Sequence, residues 1–105
     1  MHAIVRRYEG VDEARRDELT KKVNEALIPR LSKLPGFSGY YLVDAERGVM
    51  TSISLFDSEE HADESTRLAA TWIRDEQLEG ALPNPPKTTF GKVIAQKTNG
   101  VLAAV

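Results

Sequence analysis

Hydrophobic residues recur every three or four positions in the first third of the chain, which predicts an amphipathic helix from about residue 12 to about residue 34. Asp12 suits the N-cap position, and acidic residues follow it in the first turn. Pro29 is expected to kink or split the helix near residue 28, because proline removes one backbone hydrogen bond. Pro35 and Gly36 predict its end. The apolar face of the helix consists of Leu19, Val23, Leu27, Leu31 and Leu34.

Four short segments rich in β-branched and aromatic residues predict strands at residues 2–8, 37–44, 49–56 and 87–97. A second helix is predicted to start at Asp57, which has capping-box spacing with Glu60, and to fade near Gly80. The order β-α-β-β-α-β predicts an α+β, ferredoxin-like fold, with both helices on one face of a four-stranded antiparallel sheet. We expect one such domain at residues 1–98 and an apolar tail at residues 99–105.

The second strand is apolar on both of its faces. A strand that packs on one side only should alternate apolar with polar residues. Here Phe37, Tyr41 and Val43 are predicted to point one way, and Tyr40 and Leu42 the other. We therefore expect both faces of the sheet to be covered.

The third strand divides into two sets of unequal polarity. The more apolar set is assigned to the helices and comprises Val49, Thr51, Ile53 and Leu55. The mixed set is assigned to the opposite face and comprises Met50, Ser52, Ser54 and Phe56. A chain this short has few elements to cover that second face, so we predict a homodimer in which two sheets face each other and enclose a pocket. A monomer with a partly apolar open face is the alternative.

The charge and the cysteine content narrow the classes of partner and chemistry. The 105 residues carry a formal net charge of -2, with basic and acidic residues interspersed, so no nucleic-acid or anionic-membrane partner is expected. The lack of cysteine excludes disulfides, thiolate nucleophiles and cysteine-ligated metals. The first residues lack the apolar stretch of a signal peptide, and no run approaches the roughly 20 apolar residues that span a bilayer. These features predict a cytoplasmic protein.

Three segments resemble the dimeric α/β-barrel superfamily, which includes antibiotic-biosynthesis-monooxygenase-like and stress-responsive barrel proteins. They are the junction LPGF at residues 34–37, the sequence SLFDS at residues 54–58 and the sequence STRLAATW at residues 65–72. The resemblance extends over about residues 2–97. It implies a dimeric barrel and a range of activities that includes cofactor-independent oxygenases, haem-degrading enzymes, dismutases and isomerases. Haem-degrading members use a histidine just after the second helix, but residues 80–87 contain none.

Arg6 and Arg7 are the residues of the first strand with the clearest functional potential. They point to opposite faces of a strand expected to be central, so one of them should lie under the helices or face a pocket. A buried arginine without an anionic partner is costly. Such an arginine either binds the carboxylate or enolate of a ligand, or forms a structural ion pair with Asp44, Glu9 or an acid of the dimer partner.

Histidines offer few further candidates. His61 lies among acidic residues at the start of the second helix, where it is either an exposed helix residue or a catalytic base. His2 begins the first strand. With two histidines and no cluster of ligands, neither a metal nor another cofactor is predicted.

Aromatic and small polar residues are candidates for the lining of a small, mostly apolar pocket between sheet and helices. Tyr40 and Tyr41 could orient a substrate by hydrogen bonds, as could Tyr8, and Ser65 and Thr66 could reach the pocket rim. The other candidates for ligand contact are Met50, Ser52, Ser54, Phe56 and Trp72.

Three functions remain compatible with the sequence. The first is an enzyme resembling the cofactor-independent monooxygenases, in which Arg6 or Arg7 stabilises the anion of a small aromatic or enolic substrate. The second is a ligand-binding or stress-related module that uses the same pocket without catalysis. The third is a dimerisation module whose interior is filled by side chains.

Overall fold

The computed structural model describes residues 1–97, so the predicted tail at residues 99–105 lies outside the described residues. The strands are β1 (His2–Tyr8), β2 (Phe37–Asp44), β3 (Met50–Phe56) and β4 (Lys87–Lys92). They form one antiparallel sheet in the order β2-β3-β1-β4. The ferredoxin-like prediction is confirmed. The last strand ends at Lys92, earlier than the predicted residue 97.

The first helix, α1, runs through four consecutive helical segments. These are a 3-10 turn (Glu13–Arg15), an α-helical segment (Arg16–Lys22), a π-helical segment (Val23–Leu27) and a second α-helical segment (Ile28–Ser32). Asp12 caps it as predicted, since its side chain accepts a hydrogen bond from the backbone N–H of Ala14 at 3.0 Å. Pro29 lies in the first turn of the last segment, directly after the π-helical segment. The predicted break at residue 28 therefore takes the form of a wider helical turn.

The second helix, α2 (Glu59–Asp75), begins one residue later than predicted. Ser58 is the N-cap, and its side chain accepts a hydrogen bond from the backbone N–H of His61 at 3.3 Å. The assignment of Asp57 as the cap was wrong, because Asp57 pairs instead with the His61 side chain. The helix ends at Asp75, before the predicted Gly80, and Gln77 then adopts a positive φ of 56°.

The assignment of faces to β3 was wrong. Alternate residues of β3 are buried beneath the helices, namely Met50, Ser52, Ser54 and Phe56. Thr51, Ile53 and Leu55, predicted to meet the helices, lie on the opposite face, and Val49 precedes the strand. Both sets contain apolar residues, so the lower polarity of one set did not identify the face that packs against the helices. The serines fit under the helices because larger side chains flank them on neighbouring strands.

The register shows which side chains share each face. On the helix side, Ser52 lies between Leu42 and Arg6, and Ser54 lies between Tyr40 and Ile4. On the opposite face, hereafter the outer face, Ile53 lies between Tyr41 and Val5.

Phe37 departs from the predicted alternation of β2. A register shift between Phe37 and Gly39 places it opposite Phe56, and the two rings pack edge to face with centroids 5.7 Å apart. Phe37 therefore joins the core, and Tyr41 and Val43 remain on the outer face.

The core lies between the helix side of the sheet and the two helices. Its largest fully buried apolar side chains are Trp72, Phe56, Leu31 and Leu78. The apolar face predicted for α1 is buried as expected at Leu19, Val23, Leu27 and Leu31. Among residues 1–97, no helix has the length and hydropathy needed to cross a bilayer.

Candidate functional site

A small internal cavity of about 40 Å³ lies between the helix side of the sheet and the helices. This volume accommodates about one water molecule. Apolar side chains from α1 form one wall, and Met50, Leu42 and Trp72 contribute to the others. The polar residues along it are Arg6, Tyr8, Tyr40, Ser52, Ser54 and Ser65.

Arg6 is the charged residue of this cavity and is only 7% exposed. Its Nη2 donates a hydrogen bond to Thr66 Oγ1 at 2.6 Å. No carboxylate within residues 1–97 lies at ion-pair distance from it. A guanidinium has five N–H donors, and burying its charge without an anion is unfavourable. The Arg6 side chain is therefore equipped to receive an anionic group.

The acids proposed as structural partners of an arginine are engaged elsewhere. Glu9 accepts a hydrogen bond from Arg7 Nε at 2.9 Å and also pairs with Lys87 at 3.2 Å. Asp44 pairs with Arg16 at 3.3 Å. The structural ion pair predicted as an alternative is thus made by Arg7, which is exposed, and within the described residues Arg6 has none.

Thr66 holds the Arg6 guanidinium in place. The hydroxyl of Thr66 donates to the backbone carbonyl of Ala62 at 3.2 Å, which leaves its lone pairs free to accept from Arg6. Ser65 donates to the same carbonyl at 2.6 Å. Residues 65 and 66 therefore support the site from α2.

A larger cleft of about 520 Å³ adjoins the internal cavity and shares Arg6 and Tyr8 with it. A cleft of this volume is large enough for a drug-sized ligand. The loop at residues 82–86 forms one wall, and α2 forms another. This loop is tied to the strands, because Asn84 Nδ2 donates to the Glu9 carbonyl at 2.9 Å. Arg6 thus lies where the cleft meets the smaller cavity.

Burial raises the pKa of two tyrosines of the site above its ordinary 10.0. Desolvation raises the pKa of Tyr40 to about 12, with a further increase from Tyr8 and opposing effects of a hydrogen bond with Ser52 and of Arg6. Desolvation also raises the pKa of Tyr8, against the opposing effect of Arg6. Both phenols are therefore neutral near pH 7 and act as hydrogen-bond donors rather than as bases.

The structure brings together six of the ten residues predicted for the site. Around the internal cavity lie Arg6, Tyr40, Met50, Ser52, Ser54 and Trp72. The indole N–H of Trp72 is buried without a hydrogen-bond partner among the described residues.

The four other predicted residues do not line this cavity. Arg7 and Tyr41 lie on the outer face, where Tyr41 is 60% exposed. Phe56 is fully buried against Phe37 in the core. His61 lies in the first turn of α2 and contacts Asp57.

Sequence reasoning missed part of the cleft. Arg74, Glu79 and the loop at residues 82–86 were not assigned to the site. The alternation of β1 placed Tyr8 on the same face as Arg6, so that pairing was readable from the sequence. The loop approaches β1 through contacts between residues far apart in the chain, so no local sequence pattern predicts it.

The Asp57–His61 pair is a structural contact at the start of α2. His61 Nδ1 lies 2.6 Å from Asp57 Oδ1, and both side chains are partly exposed. The hydrogen bond with Asp57 raises the pKa of His61 above its ordinary 6.5, with smaller contributions from Glu60 and Glu64. The same bond lowers the pKa of Asp57 below its ordinary 3.8.

This pair predicts a pH-dependent contribution to stability. The His61 contribution is fully present below 6.5 and is lost as pH rises through the raised pKa. The Asp57 contribution is present above 3.8 and is lost as pH falls through the lowered pKa. In urea unfolding, His61→Gln should therefore lower the midpoint more at about pH 5 than at about pH 9. An equal reduction at both pH values would contradict the ion pair.

Comparison with solved structures shows the fold at low sequence identity. A protein of unknown function from Nitrosomonas europaea aligns with a TM-score of 0.74 at 16% identity, covering 92% of each chain. A monooxygenase of Streptomyces coelicolor, solved in complex with nanaomycin D, aligns with a TM-score of 0.71 at 18% identity, covering 92% of this chain and 90% of that one. The chain has the fold of the antibiotic-biosynthesis-monooxygenase-like proteins. The predicted resemblance is thereby confirmed at the level of the fold.

A further neighbour is dimeric. A dimeric ferredoxin-like protein from an uncultured marine organism aligns with a TM-score of 0.68 at 16% identity, covering 92% of this chain and 90% of that one. No protein-family model matches the sequence, and neither does any curated protein.

Proposed function

We propose that this monooxygenase-like chain is a cofactor-independent enzyme that oxidises a small aromatic or enolic compound in the cleft beside Arg6. The observation that carries the proposal is the burial of Arg6 without an acidic partner among residues 1–97. A ligand oxyanion would supply the missing charge, and its bidentate hydrogen bonds would use donors that the described residues leave free. The monooxygenase among the neighbours supports the reaction class.

The proposed reaction converts an activated methylene into a carbonyl. The enolic O–H of the substrate ionises, its proton passes to water in the cleft, and Arg6 stabilises the resulting enolate. The carbanion form gives electrons to dioxygen and forms a C–O bond, which yields a hydroperoxide after protonation. Cleavage of the O–O bond and loss of the second C–H hydrogen release water and leave the C=O group. Overall, one methylene group and one dioxygen molecule give one carbonyl group and one water molecule.

The tyrosines would orient the substrate in this scheme. Tyr8 lines both the cleft and the internal cavity, and it would donate a hydrogen bond to the oxyanion that Arg6 holds. Tyr40, whose pKa is about 12, would donate from the cavity side. Because ionisation of the substrate is assisted by Arg6, the step does not require a strong protein base.

Anthrone is a suitable probe, because its methylene group becomes acidic through the aromatic enol form. We expect the protein to accelerate dioxygen uptake with anthrone and to form anthraquinone, with one oxygen atom from labelled dioxygen in the product and the other in water. Binding without any dioxygen uptake, for anthrone and for related hydroxylated ring compounds, would contradict catalysis.

A second candidate function is a ligand-binding module without catalysis. It is favoured by one observation: among the described residues that line the cleft and the internal cavity, none is a histidine. The same assay distinguishes it, since this module would bind the ring compound and leave dioxygen unconsumed.

We further propose that the protein is a homodimer joined through the outer face. Apolar and aromatic side chains lie there, including Tyr41 at 60% and Val43 at 44% exposure, together with Ile53 and Leu55. Exposed apolar patches of this kind are typical of interfaces, and a dimeric neighbour shares the fold. Sedimentation at micromolar concentration should show a species of twice the 11.7 kDa chain mass, and a purely monomeric species would refute the dimer.

A further inference from the structure

A second cavity of about 160 Å³ lies next to the cleft beside Arg6, along α2. Thr66 of α2 and Thr88 of β4 line both spaces and lie where the two adjoin. Thr66 is also the residue that accepts the hydrogen bond from Arg6. The second cavity is therefore connected with the anion-binding side chain and is not an isolated hollow elsewhere on the surface.

The second cavity is built to receive an apolar group. Phe90, Ile4 and Ala62 form its apolar walls. Phe90 is 66% exposed, since it projects from the edge strand β4 beyond the cover of the helices. A cavity of roughly 150 Å³ with apolar walls can hold a benzene ring. The volume and the walls together suit one aromatic ring.

Its polar residues differ from those around Arg6. Glu59 and Asp63 line the second cavity, and no lysine or arginine does among the residues described. The Nδ1 atom of His2, another lining residue, is buried without a hydrogen-bond partner in residues 1–97. An anionic group would be repelled there, whereas a neutral ring or one that carries a hydrogen-bonding substituent would be accepted.

From this arrangement we infer that the ligand is elongated, with an anionic oxygen at Arg6 and an uncharged aromatic end beneath Phe90. This inference rests on the proposed function and adds the shape and charge distribution of its substrate class. The length follows from the sheet: Arg6 pairs with Thr88, and Ile4 pairs with Phe90. Residues two positions apart on a strand are separated by about 7 Å, so we expect the two ends of the ligand to lie about this far apart.

A series of phenyl carboxylates tests the inference by calorimetric titration of the full chain. The probes are benzoate, phenylpropanoate and phenylpentanoate, which keep the carboxylate for Arg6 and place the ring progressively further away. We expect binding to tighten along the series by about three- to fourfold for each buried methylene. Phe90→Ala should abolish that gain and leave benzoate binding unchanged. Thr89→Ala is the matched control, because Thr89 neighbours Phe90 but lines neither the second cavity nor the cleft.

A second carboxylate at the far end of the longest probe provides a test of charge. We expect it to cancel the gain in affinity, and Glu59→Gln combined with Asp63→Asn to restore it. Both residues are exposed on α2, so these substitutions should leave the fold intact.

The outcomes separate the inference from the proposed function. One outcome is that Arg6→Gln weakens the binding of all three probes while affinity stays constant along the series and Phe90→Ala changes no affinity. In that case the extended site is refuted and the anion site stands. If Arg6→Gln leaves all three probes unaffected, the anion site of the proposed function fails, and the inference fails with it.

Discussion

An Arg6→Gln variant is expected to bind an anionic ring compound about 10- to 150-fold more weakly than the unaltered protein, and to lose dioxygen uptake with anthrone to at least the same extent. The range corresponds to the roughly 1.5–3 kcal/mol that a charge-assisted hydrogen bond contributes. Glutamine keeps a polar, uncharged side chain but removes the charge and the fork of donors. Calorimetric titration with benzoate measures the binding component directly.

The same variant should be at least as stable as the original protein. Arg6 is 7% exposed and has no acid at ion-pair distance within the described residues, so its charge is a cost to the folded state. Removal of that cost should leave the urea midpoint unchanged or raise it. Replacement of a functional residue typically raises stability and weakens binding. Replacement of a structural arginine would lower both stability and binding.

Arg7→Gln is the matched control. Arg7 neighbours Arg6 in the chain, but it lies on the outer face, is exposed and already pairs with Glu9 at 2.9 Å. Surface ion pairs contribute at most about 1 kcal/mol, so this variant should retain probe binding. Equal losses in the two variants would mean that general charge, rather than the cleft, attracts the anion.

Replacement of Gly36 with alanine is expected to destabilise the protein by about 2 to 5 kcal/mol. Gly36 has a positive φ of 77°, a region that costs an L-residue about 1–2 kcal/mol. The new methyl group would also overlap Asp57 Oδ1 and approach His61 Nδ1 at 2.6 Å. Relief of this overlap requires the Asp57–His61 pair to move, and overpacking of this kind adds about 1–3 kcal/mol. Urea unfolding of the variant measures the change.

Gly91→Ala provides the comparison for this variant. A methyl group added to Gly91 would meet no atom within 4 Å, and the residue lies in a regular strand. Its stability should therefore stay within about 1 kcal/mol of the original. If both glycine variants lose stability equally, the local contact between Gly36, Asp57 and His61 does not explain the loss.

Much of the site was predicted because a strand alternates with a period of two. Tyr40, Met50, Ser52 and Ser54 were grouped together from that period, and they do share one face. The prediction that these residues share a face was right, but the prediction that this face points away from the helices was wrong. The alternation of side chains along a strand shows which residues share a face. Which of the two faces meets the helices depends on pairing with other strands.

Arg6 illustrates what remained open at the level of sequence. The adjacent arginines were known to point to opposite faces, yet nothing local showed which one would be buried. The decision came from contacts between distant parts of the chain, such as the hydrogen bond from Arg6 to Thr66. Whether Arg6, Tyr40 and the other lining residues act on a ligand stays a prediction, which the variants above test.

The sequence by itself determined the order of the elements, the Asp12 cap, the break near residue 28 and the turn into β2, because these depend on residues close together in the chain. Only the tertiary structure decided which sheet face is covered, that Phe37 joins the core, and that the loop at residues 82–86 meets Arg6. These outcomes depend on strand register and on packing between segments far apart in sequence. Both faces of the sheet are apolar enough to be buried, so hydrophobicity alone could not choose between them.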